Sequence, residues 1–425
     1  MPWNLLIVYA MVVLDTAIQV IAYPIFPDLV KDIPHSTFWF SMALALFRFM
    51  QLVVSPLFGY IADKYSRKIV FIFAAMGTIL SFLVMLPTKA WSLFANRSID
   101  GSTNGFYVAV RSAITDMSNR ENLNSRLGIL GALGAIGVVV GPLLGSLIIF
   151  SGVLGQNINP TISIIFLALI LGLVNFVLSL LFKETQRKPL AQGGEEHLLS
   201  TTDNFEVGLE VTENFHYKNL IGDFVKLWKN NRTLGLLVLM EVLMVIVQGY
   251  YHYYIIYLTK IFNFGTKDIN IFLLYAGFVI VSSQFIFFLV LLKKLPIKQT
   301  LVFCSVMAVI LMAGYGVTRV IWLLYLLVVL DVISVSPITG LIQGQIGHLS
   351  PVHRRGRIVG MVQGFAGVVA VINPIVFGIL GELNPALPFG WFAFGALLVS
   401  ICAWNLPFLK MSLNYTKTLV LFKVF

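Results

Sequence analysis

Four carboxylates stand where a carboxylate is expensive. Asp15 interrupts VVLDTAIQVIAYP, Asp100 lies in NRSIDGSTNG, Glu241 in VLMEVLMV and Asp331 in LLVVLDVIS, each within a long apolar stretch. An ionised Asp facing lipid at the centre of a bilayer costs about 3 kcal/mol on the insertion scale, so such a group faces a water-filled cavity or a partner. Low dielectric also raises a carboxyl pKa, and an acid that is wetted and dried in turn can take a proton from one side and give it up to the other. Asp15 and Asp331 are the first candidates for that work, then Asp100 with Arg97, then Glu241.

Two arginines bear on the same chemistry. Arg48 lies deep in the second apolar stretch and could neutralise Asp15. Arg97 is one helical turn before Asp100 and could neutralise that acid. In the seventh stretch QGYYHYY (Gln248 to Tyr254) brings Tyr250, Tyr251, His252 and Tyr254 together. These rings suit stacking on flat or cationic organic molecules, and tyrosine is equally the ordinary residue of a membrane interface.

The elements that carry these residues must be membrane helices. Only 11% of the 425 residues are charged and 58% are hydrophobic, whereas a soluble chain is about one-quarter charged. Twelve apolar runs approach the roughly 20 residues that cross a bilayer: 4–30, 38–62, 69–87, 91–113, 127–150, 161–182, 233–258, 270–292, 299–318, 320–346, 358–382 and 390–410. At 1.5 Å per residue each acid lies about 12–16 Å into its run, near the midplane. The first run lacks a small-residue cleavage site after a short apolar core and is expected to be retained.

The net charge of +10 reports orientation and gives no sign of nucleic acid. With the N-terminus cytoplasmic, 21 of the 29 Lys and Arg fall in cytoplasmic segments and 5 in outer loops (Lys31, Lys89, Lys260, Lys267 and Arg319), as the positive-inside rule requires. Both termini are then cytoplasmic. The two cysteines, Cys304 and Cys402, lie in apolar runs, and no disulfide, metal site or cofactor motif can be built. The six His are scattered, unlike the clustered His or Asp of membrane-embedded enzymes.

A polar stretch, 183–232, divides the runs six and six. Its centre reads as a flexible linker, and HYKNLIGDFVKLWKN (His216–Asn230) as a helix lying along the membrane surface. The expected organisation is a six-helix bundle over 1–182, the linker, a second bundle over 233–410 and a tail, 411–425. The halves resemble each other: GALGAIGVVVGPLLGS from Gly131 and GMVQGFAGVVAVINPIVFG from Gly360 both follow a basic loop and carry Pro142 and Pro374 at matching depth. Duplicated bundles are the signature of a carrier that rocks one half against the other around a central site. Gly137, Gly141 and Gly145 leave one face of the fifth helix bare for close approach, and the prolines permit a bend.

GYIADKYSRKIVF (Gly59–Phe71) resembles the loop signature of the major facilitator superfamily, G-x-x-x-D-x-x-G-R-R/K, with Gly59, Asp63, Arg67 and Lys68 in register and Ser66 in place of the second Gly. That position is expected to need a small residue for a tight turn. LDTAIQVIAYPIFPDLV, NRSIDGSTNG and GVVVGPLLGS are similar to the first, fourth and fifth spans of proton-coupled drug antiporters, tetracycline exporters above all. The resemblance implies the all-α major facilitator fold and a monomer in a bacterial inner membrane. It implies a loop clasp between the halves that holds the outward-open state, an antiporter motif at Gly137, Gly141, Pro142 and Gly145, and a role for Arg97 in the proton relay. It also implies that spans one, four, seven and ten line the cavity, one acid on each. Ser81 replaces the acidic residue of the exporters' third span and Arg48 is additional, which counts against tetracycline itself. The expected activity is export of an amphiphilic organic compound in exchange for protons. A second reading takes Arg48 and Arg97 as anchors for an organic anion or siderophore-like molecule.

Overall fold

Inside a bilayer every backbone N–H and C=O must find its partner within the chain, so apolar runs of this length become helices. The computed structural model describes residues 3–118, 122–151, 159–185, 220–286, 296–350 and 355–407. The linker centre and the tail expected at 411–425 lie outside the described residues.

The first half comprises α1 (Trp3–Ala22), a 3-10 turn (Tyr23–Ile25), α2 (Phe26–Val30), α3 (Ser36–Lys64), α4 (Arg67–Met85), α5 (Ala90–Thr103), α6 (Phe106–Asp116), α7 (Leu123–Ser151) and α8 (Pro160–Leu181). α9 (Leu220–Asn230) follows. The second half comprises α10 (Arg232–Gln248), α11 (Tyr250–Phe262), α12 (Thr266–Ile286), α13 (Ile297–Val317), α14 (Ile321–Ser334), α15 (Ser336–Leu349), α16 (Arg355–Leu383) and α17 (Leu387–Trp404). Large apolar side chains such as Phe73 and Phe303 point outward and are more than half exposed. That surface suits hydrocarbon, and the protein is a multi-pass integral membrane protein.

Eleven segments among the described residues are long and apolar enough to cross a membrane. The run expected at 91–113 is not among them; it is formed by two short helices, α5 and α6, parted at Asn104–Gly105. The reason is local. In GSTNG, Ser102 and Thr103 hydroxyls bond back to the carbonyls of Ser98 and Ile99, offering the backbone an alternative to the helix. Gly105 also lies so close to the Phe58 ring that a Cβ there would sit 2.3 Å from it.

All four acid-bearing spans are broken in this way. α1 gives way at Tyr23, where Pro24 has no N–H to donate; α10 and α11 meet at Gly249, and α14 and α15 at Val335, just before Pro337. Asp15 and Glu241 each lie eight residues before their breaks at Tyr23 and Gly249. Asp100 and Asp331 each lie four residues before theirs at Asn104 and Val335. The duplication therefore extends to the spacing between acid and break.

The halves meet along two seams, α3 against α16 and α7 against α12. Among the described residues, cross-half hydrogen bonds occupy the midplane and the face opposite Asp63–Lys68, here called the far face. α9 lies by the opposite, loop face, with Phe224 packed on Phe365 of α16 at 5.8 Å. The first residues of the surface helix, expected from His216, lie outside the described residues.

Candidate functional site

In the first half, Asp15 is buried on α1 and its Oδ2 accepts a 2.8 Å hydrogen bond from Gln19 Nε2, one turn along the same helix. Gln19, and not Arg48, partners this acid, because Arg48 reaches across to the second half. α7 is pressed against the back of α1 at its glycines: a Cβ at Gly137 would fall 2.8 Å from the Val13 carbonyl oxygen, and one at Gly141 2.6 Å from that of Ala17. Pro142 and Gly145 of the same helix face Asn270 of α12, which donates to the Pro142 carbonyl at 3.1 Å.

Asp100 on α5 pairs with Arg97 at 3.3 Å, the helical pairing expected of these two positions. The Arg97 guanidinium also lies over the rings of Phe26 and Phe47, 4.6 and 5.2 Å from their centroids, an arrangement that favours a desolvated cation. Arg48 on α3 donates to Gln51 Oε1 at 3.1 Å and meets His252 Nε2 at 3.4 Å across the halves. Among the described residues no carboxylate comes within 4.0 Å of it.

In the second half, Glu241 accepts a 2.7 Å hydrogen bond from Gln343 of α15, and its other oxygen is buried without a partner. Asp331 accepts from the hydroxyls of Tyr250 and Tyr315, and its Oδ1 is likewise unpartnered. No cation faces either acid within ion-pair reach among the described residues.

Between the halves lies a cavity. Its polar wall is Gln19, Arg48, Arg97, Gln248, His252 and Asn373, and Tyr23, Phe47 and Phe377 supply aromatic surface. Among the described residues no acid is on the wall. Asp15 and Asp100 each stand one side chain behind it, through Gln19 and Arg97; Glu241 and Asp331 bond to residues that are not part of it. The tyrosine cluster also differs from expectation. His252 alone of its members reaches the wall, its ring 5.3 Å from that of Tyr23. Tyr250 and Tyr254 are buried beside Tyr315, around Asp331, because the break at Gly249 starts a new helix with these rings directed away from the cavity. Neither is an interfacial tyrosine, while Tyr251 is 37% exposed.

Asn373 repays comparison with Gly141, since each precedes the proline of its span. Asn373 Nδ2 donates to the carbonyls of Val245 and Ile246 at 2.9 and 3.2 Å, while the Gly249 N–H turns to the Ile246 carbonyl at 3.1 Å, so the side chain bonds the last turn of α10 beside the interruption.

At the far face Glu382, at the end of α16, accepts from the backbone N–H groups of Thr37 and Phe38 at 2.7 and 3.2 Å. It thereby caps the N-terminus of α3 from the opposite half. His35 and Lys260 lie 3.6 Å from the same carboxylate. Asp28 ties α2 to α8 and α12 through Thr161 and Thr266. Sequence reasoning missed Glu382 because it ends a long helix beside a loop, where an acid carries no distinguishing signal.

Among the described residues, the contacts of Arg67, Lys68 and Gly59 of the loop signature lie within the first half. Arg67 pairs with Asp63 at 3.1 Å and Asp116 at 3.2 Å, Lys68 Nζ bonds the Leu180 carbonyl at 2.6 Å, and Gly59 lies against Val108. Glu184 accepts from the Ser66 hydroxyl and from the backbone of Arg67 and Lys68. The demand expected of position 66 is corrected. Ser66 is extended, with φ −172°, and its hydroxyl accepts from Ile69 N as the cap of α4, so no glycine is needed there.

Residues 5–374 match the family model described as Major Facilitator Superfamily. Over 189 residues the chain is 29% identical to the class H tetracycline resistance protein of Pasteurella multocida, covering 44% of this chain and 46% of that one. Against the class E tetracycline resistance protein of Escherichia coli it is 23% identical over 356 residues, 83% of this chain and 80% of the relative. The chain thus spans about half the length of the first of these relatives and most of the second. A crystal structure of a D-xylose–proton symporter superposes with a TM-score of 0.69 at 12% identity, covering 96% of this chain and 97% of that one, a likeness of fold.

Proposed function

Because the chain belongs to the Major Facilitator Superfamily, a family of transporters and not of enzymes, we propose that it exports an amphiphilic organic compound in exchange for protons by alternating access. The observation that carries this reading is the pair of carboxylates, Asp15 and Asp100, each one side chain behind the wall of a cavity between two halves. Rocking the halves apart exposes that wall to one compartment at a time, so a proton taken on one side can be lost on the other. Likeness to tetracycline resistance proteins supports the outward direction. The concentration of Lys and Arg on the loop face supports a cytoplasmic loop face and termini, and the bacterial tetracycline resistance relatives support a bacterial inner membrane, where the protein is proposed to act as a monomer.

A membrane potential of 100 mV supplies about 2.3 kcal/mol per charge moved, which sustains a gradient of roughly fifty-fold. The test is a proteoliposome assay with an imposed pH gradient and a panel of amphiphilic compounds of differing charge. Gradient-driven accumulation of at least one compound is expected, with Asp15→Asn abolishing accumulation and sparing passive exchange. Full gradient-driven accumulation by Asp15→Asn would remove Asp15 from the coupling.

A further inference from the structure

We infer that the compound carried is an organic anion whose carboxylate or similar oxyanion is received by Arg48, with His252 contributed from the opposite half. This rests on the transporter reading and names the substrate class for the same cavity. The wall residues include two guanidiniums and an imidazole, and no Asp or Glu. The charge of Arg97 is answered by Asp100 at 3.3 Å and by two ring faces. Among the described residues Arg48 has the neutral Gln51 and His252 and, 5.5 Å from its guanidinium carbon, the Phe47 ring, but no carboxylate, and a cation left without a counter-charge at mid-membrane depth is a site waiting for negative charge. A guanidinium carries five N–H donors in a planar fork; Gln51 and His252 occupy two of them, leaving others for a bidentate oxyanion.

His252 gives independent support. Arg48 can only donate, so Nε2 of His252 must accept, and the proton of the neutral ring is therefore on Nδ1. That Nδ1 is buried with no hydrogen-bond partner, an orphan donor beside an unanswered cation. Tyr23, Phe47 and Phe377 offer the same ligand a surface for an apolar or aromatic body. A cationic compound would meet Arg48 and Arg97 with no wall carboxylate to offset them.

The test uses the full-length protein in detergent, without any gradient, and three matched probes: 1-naphthylacetate, its neutral amide and 1-naphthylmethylammonium. Binding is read by equilibrium dialysis. The anion is expected to bind roughly tenfold or more tighter than either companion, the scale of a charge-assisted hydrogen bond. Arg48→Gln should reduce the three affinities to within about threefold of one another, with Arg48→Lys retaining part of the preference. Equal binding of the three, binding of none, preference for the cation, or an anion preference that survives Arg48→Gln would overturn the assignment. Should Arg48→Gln fail to fold, the three-probe comparison on the unaltered protein still decides. Loss of anion preference with intact gradient-driven flux removes the substrate class alone; intact preference without such flux removes the transporter reading alone.

Discussion

Asp331 shows how much a single hydroxyl can matter when the acid it serves has no cation. Tyr250 and Tyr315 donate to Asp331, whereas the Tyr254 hydroxyl, in the same cluster, is buried without a partner. Losing one of the two donors to Asp331 Oδ2 removes a hydrogen bond that contributes about 0.5–1.5 kcal/mol, while removing an orphaned polar group is close to neutral. Tyr250→Phe is therefore expected to lower the thermal unfolding midpoint in detergent clearly, and Tyr254→Phe to leave it level or raise it; equal losses would contradict the hydrogen-bond assignment. At this scale the sequence was legible along a helix and silent across helices. The Arg97–Asp100 pair follows from three-residue spacing, and Gln19 was available to Asp15 by four-residue spacing. Gln343 and Tyr315 come from other helices, and nothing local marks them as partners of Glu241 and Asp331.

For the helices, lengths and order were readable because hydrocarbon thickness fixes them, but the interruptions were not, since continuous apolar runs such as 233–258 hide the break at Gly249. Ser66 is the clearest case of a local rule giving way to local chemistry, a hydroxyl cap in place of a glycine turn. Ser66→Ala should cost about 1 kcal/mol and Ser66→Gly only a few tenths, measured by chemical or thermal unfolding; a gain on Ser66→Gly would reinstate a left-handed turn. The fit of α7 against α1 allows a harder test. A Cβ at Gly141 meets the backbone oxygen of Ala17 at 2.6 Å, and backbone cannot swing aside as a side chain can. Gly141→Ala is expected to cost about 1–3 kcal/mol through forced displacement, whereas Gly131→Ala, which meets nothing within 4 Å, should be tolerated. Similar losses at both sites would exclude close approach as the reason for Gly141.

At the level of the whole protein, the two-bundle plan was legible from the duplicated spans and the polar divide, while the contacts that join the bundles were not. Glu382 holds the far face by capping α3 from the other half. Removing its charge costs two charge-assisted bonds and should shift the balance between closed and open far face by roughly tenfold or more. Spin labels at Lys31→Cys and Lys267→Cys, on opposite halves, are expected to show a longer-distance population on Glu382→Gln; an unchanged distribution would mean that other contacts carry the seal. The matched spacing of acid and break has a consequence of its own. The two halves hold two copies of one elbow, and each carboxylate is aimed by the number of residues in its forearm. One alanine inserted between Asp15 and Tyr23 would turn that acid by about 100° around its helix while Glu241 kept its bearing, so each half can be retuned without detuning its twin.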